Sequence, residues 1–373
     1  MDLGVNKFIF KMCNHLKFEG CSITQTDGNP IYGWKPDNAE KLITVSRMVA
    51  ATLASSALDP LPFSDVQPLS ATWNDSSADG VTFAVGKYGT ETIKITLGDE
   101  LNQRHNMLIT GAVGQGKSNL ISVIIHSLCQ RYSPDELQLY LLDFKEGVTL
   151  QPFVNSGSRE HLPHARVVGL EADREFGLSV LRDLFDTYKT RMKEFKAAGV
   201  QNLKQYRTAQ HEKTMPRIVV IIDEFQMMFA DRDRISDEIA ELLIRGVRLF
   251  RASGIHIILA SQTVGGNMAL MGSSGEGLFS QIPVRVALKN SLIGSHEILG
   301  DRNDAASHLR AREAIINLDY GELSANRKTS IAFADESVLS DLRSSWWKVS
   351  GQLRPPCVFN GERKRSLSDD SLT

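Results

Sequence analysis

A chain of 373 residues with 42% hydrophobic and 23% charged side chains can bury one large apolar core, so no disulfide or metal staple is needed to explain its folding. Its 42 basic and 44 acidic side chains give a formal net charge of -2, unlike the basic excess of a protein that coats DNA, but compatible with a ring that grips a polymer through a few loops. Cys13, Cys21, Cys129 and Cys357 form no CxxC pair, and nowhere do 18 apolar residues run together, so the chain reads as cytoplasmic, with free thiols and no membrane insertion.

Residues 1–80 read as an N-terminal extension of unassigned role. A helical stretch near Ala39–Leu58 leads into a loop rich in Pro, Ser and Asp from Asp59 to Gly80. From Val81 the segment TFAVGKYGTETIKITLG has the pattern of a hairpin turning at Tyr88-Gly89. Apolar runs of strand length follow at Asn106–Thr110, Leu137–Asp143, Ala165–Leu170, Arg217–Asp223 and His256–Ser261. Between most of them lie helix-length segments, among them Lys117–Tyr132 and Glu175–Ala198. In the second, Leu181, Leu184, Phe185, Tyr188, Met192 and Phe195 recur at three- and four-residue steps, the stripe of a helix packed on a core. Nearly all-apolar strands separated by helices predict an α/β fold with a mostly parallel central sheet covered on both faces. Further strands are expected at Val284–Lys289, Ala314–Leu318 and Thr329–Ala334, giving one large domain over 81–335. Residues 336–373 read as a linker-like tail around Pro355-Pro356, with the final stretch GERKRSLSDDSLT expected to be disordered.

The chemistry is carried by three segments. Gly111-Ala112-Val113-Gly114-Gln115-Gly116-Lys117-Ser118, followed by Asn119, fits G-x-x-x-x-G-K-[ST], a pattern that arises by accident in on the order of one chain per hundred of this length. It stands after the strand NMLIT and before the helix SNLISVIIHSLC, where loop amides and a helix N-terminus converge on phosphate. Glycines let the backbone wrap an anion, Lys117 is expected on the β- and γ-phosphates of ATP, and the Ser118 hydroxyl on Mg²⁺. The second segment, Arg217-Ile-Val-Val-Ile-Ile-Asp223-Glu224, delivers two carboxylates at a strand's carboxyl end: Asp223 for the metal shell, Glu224 to polarise the attacking water. The third, His256-Ile-Ile-Leu-Ala-Ser261-Gln262, is a buried strand with an amide at its tip, which places Gln262 as a sensor of the γ-phosphate or of the lytic water.

Together with YSPDELQLYLLDFKEGVTL, KEFKAAGVQNLKQY and IPVRVAL, the segments HNMLITGAVGQGKSNL, PRIVVIIDEF and RASGIHIILASQ resemble the motor domain of the FtsK/SpoIIIE branch of the FtsK-HerA ATPases, over roughly His105 to Leu288. The resemblance implies a RecA-like P-loop core in a ring, generally a hexamer, that hydrolyses ATP between neighbouring subunits and moves a polymer, usually double-stranded DNA, through its hole. Asp143 and Lys145 match the family's Asp-x-Lys near the nucleotide. Arg251 and Arg285 match family arginines, either of which would complete a neighbour's site as a finger; a surface ion pair is the plain alternative for each.

The chain also departs from the family. Thr-Gln-Arg-Pro after the sensor strand is replaced by Ser261-Gln262-Thr263-Val264, Asp-Ser-Arg by the region around Gly294-Ser295-His296, and the pore-loop segment Gly265–Gly277 carries no Lys or Arg. Two readings follow: a cytoplasmic homo-oligomeric translocase of double-stranded DNA, or a protein-export motor resembling the ATPases of type VII secretion. A degenerate, non-hydrolysing domain is disfavoured because Lys117, Ser118, Asp223 and Glu224 are all present.

Overall fold

A computed structural model of the chain describes residues 16–19, 22–25, 46–48 and 60–361, apart from 71, 146, 155–159, 211–214, 232, 264–276 and 351–354. Two units emerge, Met1–Pro60 and Leu61–Thr373. In the first, β1 (Leu16–Glu19) and β2 (Ser22–Gln25) pair antiparallel and residues 46–48 are helical. The rest of the helix expected at Ala39–Leu58 lies outside the described residues.

The boundary expected at residue 80 falls instead at Pro60, because the Pro- and Ser-rich segment after it is built into the second unit. Phe63 and Val66 are buried in its core, Gln67 accepts from Ser127 Oγ at 2.9 Å, and Trp73 Nε1 donates to the Cys129 carbonyl at 2.9 Å. Composition marked this stretch as loop, which it is, but its apolar side chains bind it to the core.

The second unit is laid out as β3 (Leu61–Pro62), β4 (Val81–Tyr88), β5 (Glu91–Leu97), β6 (Met107–Thr110), α1 (Lys117–Arg131), β7 (Leu137–Asp143), β8 (Ala165–Gly169), α2 (Arg174–Ala198) and α3 (Leu203–Ala209). It continues as β9 (Arg217–Asp223), α4 (Arg234–Leu249), β10 (Ile255–Ser261), β11 (Val284–Leu288), α5 (Leu292–Leu299), β12 (Glu313–Asn317), β13 (Asn326–Phe333), α6 (Glu336–Val349) and β14 (Cys357–Phe359). The sheet runs β14-β8-β7-β9-β10-β6-β11-β12-β13-β4-β5, with β3 beside β13. From β14 to β11 every neighbour is parallel; from β11 to β5 every neighbour is antiparallel.

Both faces of the parallel part are covered, which is why its strands read as unbroken apolar runs. Leu139, Leu141, Val219, Ile221 and Ile258 pack against α1 and α6, while Tyr140, Leu142, Val220, Ile222 and Ile257 pack against α2 and α4. The helix α2 carries the expected stripe: Leu181, Leu184, Phe185 and Phe195 are buried, with Tyr188 and Met192 packed alongside. Its N-cap, Asp173, accepts from Phe176 N at 2.7 Å, and Gly199 closes it in a left-handed conformation at φ 68°.

The expectation of a linker-like tail from residue 336 is corrected. Asp335 caps α6, accepting from Ser337 N at 3.0 Å, and the helix buries Leu339, Leu342 and Trp346 against the sheet. Trp346 is fully buried and its Nε1 donates to Gln130 Oε1 at 2.9 Å, a contact that removing the ring would forfeit at a cost of about 3–5 kcal/mol. Beyond the prolines, β14 adds a parallel edge strand to β8. The stretch after Gly361 lies outside the described residues.

Candidate active site

Strand register decides which side chains meet. Asp143 stands opposite Asp223, Ala260 opposite Asp223, and Ser261 opposite Thr110, so β7, β9, β10 and β6 end level at one edge of the sheet. The loops leaving those strands open onto one cleft of about 560 Å³, the place where open parallel sheets gather ligands.

The loop from Gly111 to Gly116 forms one wall. A Cβ at Gly111 would stand 2.8 Å from Leu288 Cβ, so that glycine is required for space. Gly116 is required for its backbone: it adopts φ 94° with nothing near the missing Cβ. Two amides are committed inside the loop region, Ala112 N to the Lys289 carbonyl at 3.0 Å and Gln115 N to the Ala112 carbonyl at 3.1 Å. At the start of α1, Gly116 is the N-cap and supplies no side-chain cap, which leaves the first-turn amides to an anion.

Opposite this wall stand the acids. Lys117 Nζ is held by Asp223 Oδ1 and lies 2.9 Å from Glu224 Oε1; all three side chains are buried. Burial, opposed by Lys117 and reinforced by the charges of Asp143 and Glu224, pushes the Asp223 carboxyl up to about 6. Burial would raise Glu224 as well, but hydrogen bonds from Gln226 and Lys117 outweigh it and hold its carboxyl below the usual range. Asp143 Oδ1 accepts from Lys145 N at 2.9 Å. Ser118 Oγ receives a hydrogen bond from Thr149 Oγ1 at 3.0 Å.

Lys117, Ser118, Asp143, Lys145, Asp223, Glu224 and Gln262 therefore share one cleft, as the motifs required. Asn119 does not turn its side chain toward phosphate. Its amide clamps the end of β13, donating to the Ala332 carbonyl and accepting from Ala334 N, both at 2.8 Å. Neither arginine reaches the cleft. Arg251 is exposed, precedes β10 at the opposite, amino edge of the sheet, and donates to Gln103 Oε1 at 3.0 Å. Arg285 is half-buried and held by its own chain, donating to the Ile298 carbonyl at 2.8 Å and the Phe279 carbonyl at 3.2 Å. Most of the expected pore segment, residues 264–276, lies outside the described residues. Sequence reasoning missed Thr149, which touches Ser118 from within the segment YSPDELQLYLLDFKEGVTL, and Gln226, which touches Glu224 just after PRIVVIIDEF.

No group of three or more His, Cys, Asp or Glu side chains able to hold a metal is found among the described residues. One hydroxyl, Ser118, and one carboxylate, Asp223, suit a divalent cation that arrives on the phosphates of a nucleotide rather than one held in a protein cage.

Comparison with known proteins agrees with this geometry. The model of the FtsK/SpoIIIE family matches residues 69–266. The ESX secretion system protein YukB of Bacillus subtilis is 29% identical over 239 residues, which cover 62% of this chain and 15% of YukB. A DNA translocase FtsK of Chlorobaculum tepidum is 32% identical over 170 residues, 44% of this chain and 20% of that protein. Among solved structures, the cytoplasmic domain of the Thermomonospora curvata type VII secretion ATPase EccC superposes with a TM-score of 0.62 at 20% identity, over 80% of this chain and 35% of that one. The chain thus spans a fifth or less of the length of these curated relatives. More than half of its residues match the family model and the family's motifs fold into one cleft, so the chain belongs to the FtsK/SpoIIIE family and is a P-loop ATPase with a RecA-like core.

Proposed function

We propose that this chain is the motor of an ATP-hydrolysing homo-oligomeric ring, hexameric by family precedent, that translocates double-stranded DNA. The observation that carries the reading is the row of strand ends that sets Lys117, Asp223, Glu224 and Gln262 around one cleft. ATP entering it draws Lys117 off the two carboxylates and onto its β- and γ-phosphates. Glu224 then accepts the proton of the attacking water, and Gln262 lies beside the γ-phosphate. Ser118 and Asp223 would hold a magnesium ion arriving with the nucleotide, which would supply charge neutralisation during phosphoryl transfer. The base fits a second cavity of about 230 Å³ on the far side of Gly114 and Gly116, walled by Leu288, Ile331 and Phe333 and braced by the Asn119 clamp. Arg251, exposed at the opposite edge, is the better placed of the two arginines to reach a neighbour's nucleotide.

A second reading, a protein-export motor, is favoured by the likeness to YukB and by a pore segment without Lys or Arg. One assay separates the two. ATP turnover is measured with and without duplex DNA, alongside particle mass with nucleotide. The DNA reading expects several-fold stimulation by duplex, an oligomeric mass, and turnover in Lys117→Ala below about 1% of wild type. Indifference to DNA together with stimulation by a substrate peptide selects the export motor; turnover that survives Lys117→Ala refutes the site.

A further inference from the structure

Beside the acids lies a side chain that no motif singles out. Gln226 Nε2 donates to Glu224 Oε2 at 2.6 Å, and the backbone N–H of Gln262 reaches the same oxygen at 3.3 Å. The other oxygen, Oε1, faces Lys117 at 2.9 Å. One oxygen of the carboxylate is thus held by neutral donors of the scaffold, the other by a cation that phosphate competes for. We infer that Gln226 is a positioning residue for the hydrolytic step: it keeps Glu224 Oε2 fixed, so that Oε1 faces the attacking water once Lys117 has moved to the nucleotide. The inference rests on the reading of Glu224 as the base.

The local backbone is shaped for this contact. Glu224 adopts φ 53° and ψ 43°, a left-handed conformation that is strained for a residue with a Cβ. That turn sends the chain directly from β9 into the short helical turn Phe225–Phe229, closed by Met227 N on the Glu224 carbonyl at 2.9 Å. Phe225 and Met228 are fully buried and pin the turn, which leaves the Gln226 side chain against Glu224, behind the residues that line the cleft. A glutamine that served only the fold would use both ends of its amide. Here Oε1 is buried without a partner among the described residues, and the amide's hydrogen bond goes to Glu224. Holding a glutamate in one rotamer costs side-chain entropy, and a carboxylate displaced by about 1 Å from its reacting partner loses on the order of a hundredfold in rate. A donor that fixes the side chain before ATP arrives removes both losses. Because it is neutral, it does so without competing with Lys117 for charge.

The test compares Gln226→Ala, Gln226→Glu, Glu224→Gln and the double variant Glu224→Gln/Gln226→Ala, measuring kcat for ATP and the Kd of a fluorescent non-hydrolysable ATP analogue. Gln226→Ala is expected to lower kcat by about 10- to 100-fold while Kd stays within about twofold. Gln226→Glu, equal in length but a poor donor that repels Glu224, should fall at least as far. The double variant should turn over ATP no more slowly than Glu224→Gln alone, since no base remains to be positioned. A kcat within about twofold of wild type in Gln226→Ala, a Kd that weakens in step with kcat, or a double variant clearly slower than Glu224→Gln would each overturn the inference. Should thermal melting show that Gln226→Ala does not fold, Gln226→Glu decides by the same criteria. A wild-type chain that hydrolyses no ATP refutes the reading of the site itself; an active wild type with an unaffected Gln226→Ala refutes this inference alone.

Discussion

The parallel strands bury charge at both of their ends, and in opposite ways. At the amino end of β9, Arg217 is buried and donates to the carbonyls of Ser77 and Ala78, with His256 Nε2 at 3.0 Å from its guanidinium. Nearby, Arg191 donates to the carbonyls of Ser253 and Pro216 at 2.7 and 2.8 Å. These cations are satisfied by fixed dipoles from the chain itself. At the carboxyl end, Lys117 sits between Asp223 and Glu224, and Asp143 adds a further acid within reach of Asp223. Acids outnumber the cation they share, a balance that a phosphate-bound metal would restore. The amino end is finished by folding, whereas the carboxyl end is finished by a ligand.

Breaking the amino end is therefore expected to cost stability and spare the chemistry. Arg217→Met strips the donor from two carbonyls and should lower unfolding free energy by about 2–4 kcal/mol in denaturant titrations. Affinity for an ATP analogue should stay within about twofold, the reverse of the profile expected for Lys117→Ala. A variant that kept its stability and lost nucleotide binding would dissolve the distinction between the two ends.

The same contrast explains what was legible in the amino-acid sequence. Leu137–Asp143 and Arg217–Asp223 are strands from first to last residue as expected, because strands covered on both faces must be apolar throughout. The acids and Lys117 were readable because ligand chemistry demands those residue types at those strand ends. The α6 helix was not, although Leu339, Leu342 and Trp346 have helical spacing, because Ser and Arg around them mimic a linker. The pairing of β14 with β8 was hidden by its length of three residues and its distance along the chain. The carbonyls of Phe279 and Ile298 that Arg285 meets were likewise hidden, since nothing in IPVRVAL reveals the fold-back that brings them there. Gln226 escaped notice because its contact depends on the left-handed turn at Glu224, which residue identity does not announce.

The two ends should also titrate in opposite senses, beginning with the larger effect. Burial, aided by Arg251 and Arg217, pulls the His105 imidazole down to about 4, and burial holds its stacked neighbour His256 well below the ordinary value. Such a ring is neutral in the fold and takes a proton on unfolding below pH 6.5. Its contribution is full above pH 6.5 and is lost as pH falls toward 4, at about 1.4 kcal/mol per pH unit. His105→Gln should make the slope of unfolding free energy against pH shallower by about one proton between pH 6 and 4.5. An unchanged slope would mean that His105 is already protonated in the folded chain.

Asp223 works the other way, with a smaller net effect. Burial, opposed by Lys117 and reinforced by Asp143 and Glu224, raises its carboxyl from 3.8 to about 6. Between those values the folded chain holds a proton that the unfolded chain has released, so this group's contribution is largest below pH 4 and declines as pH rises through 6. Asp223→Asn is neutral at every pH. Without nucleotide it should be more stable than wild type above pH 6, by about 1 kcal/mol once the lost charged hydrogen bond to Lys117 is set against relief of the buried charge. The gap should close toward pH 4.5, where wild-type Asp223 is itself protonated, while ATP turnover is lost at all pH values. If the variant is instead less stable than wild type at pH 8, the pair with Lys117 outweighs burial and repulsion, and the carboxyl end is as complete without a ligand as the amino end.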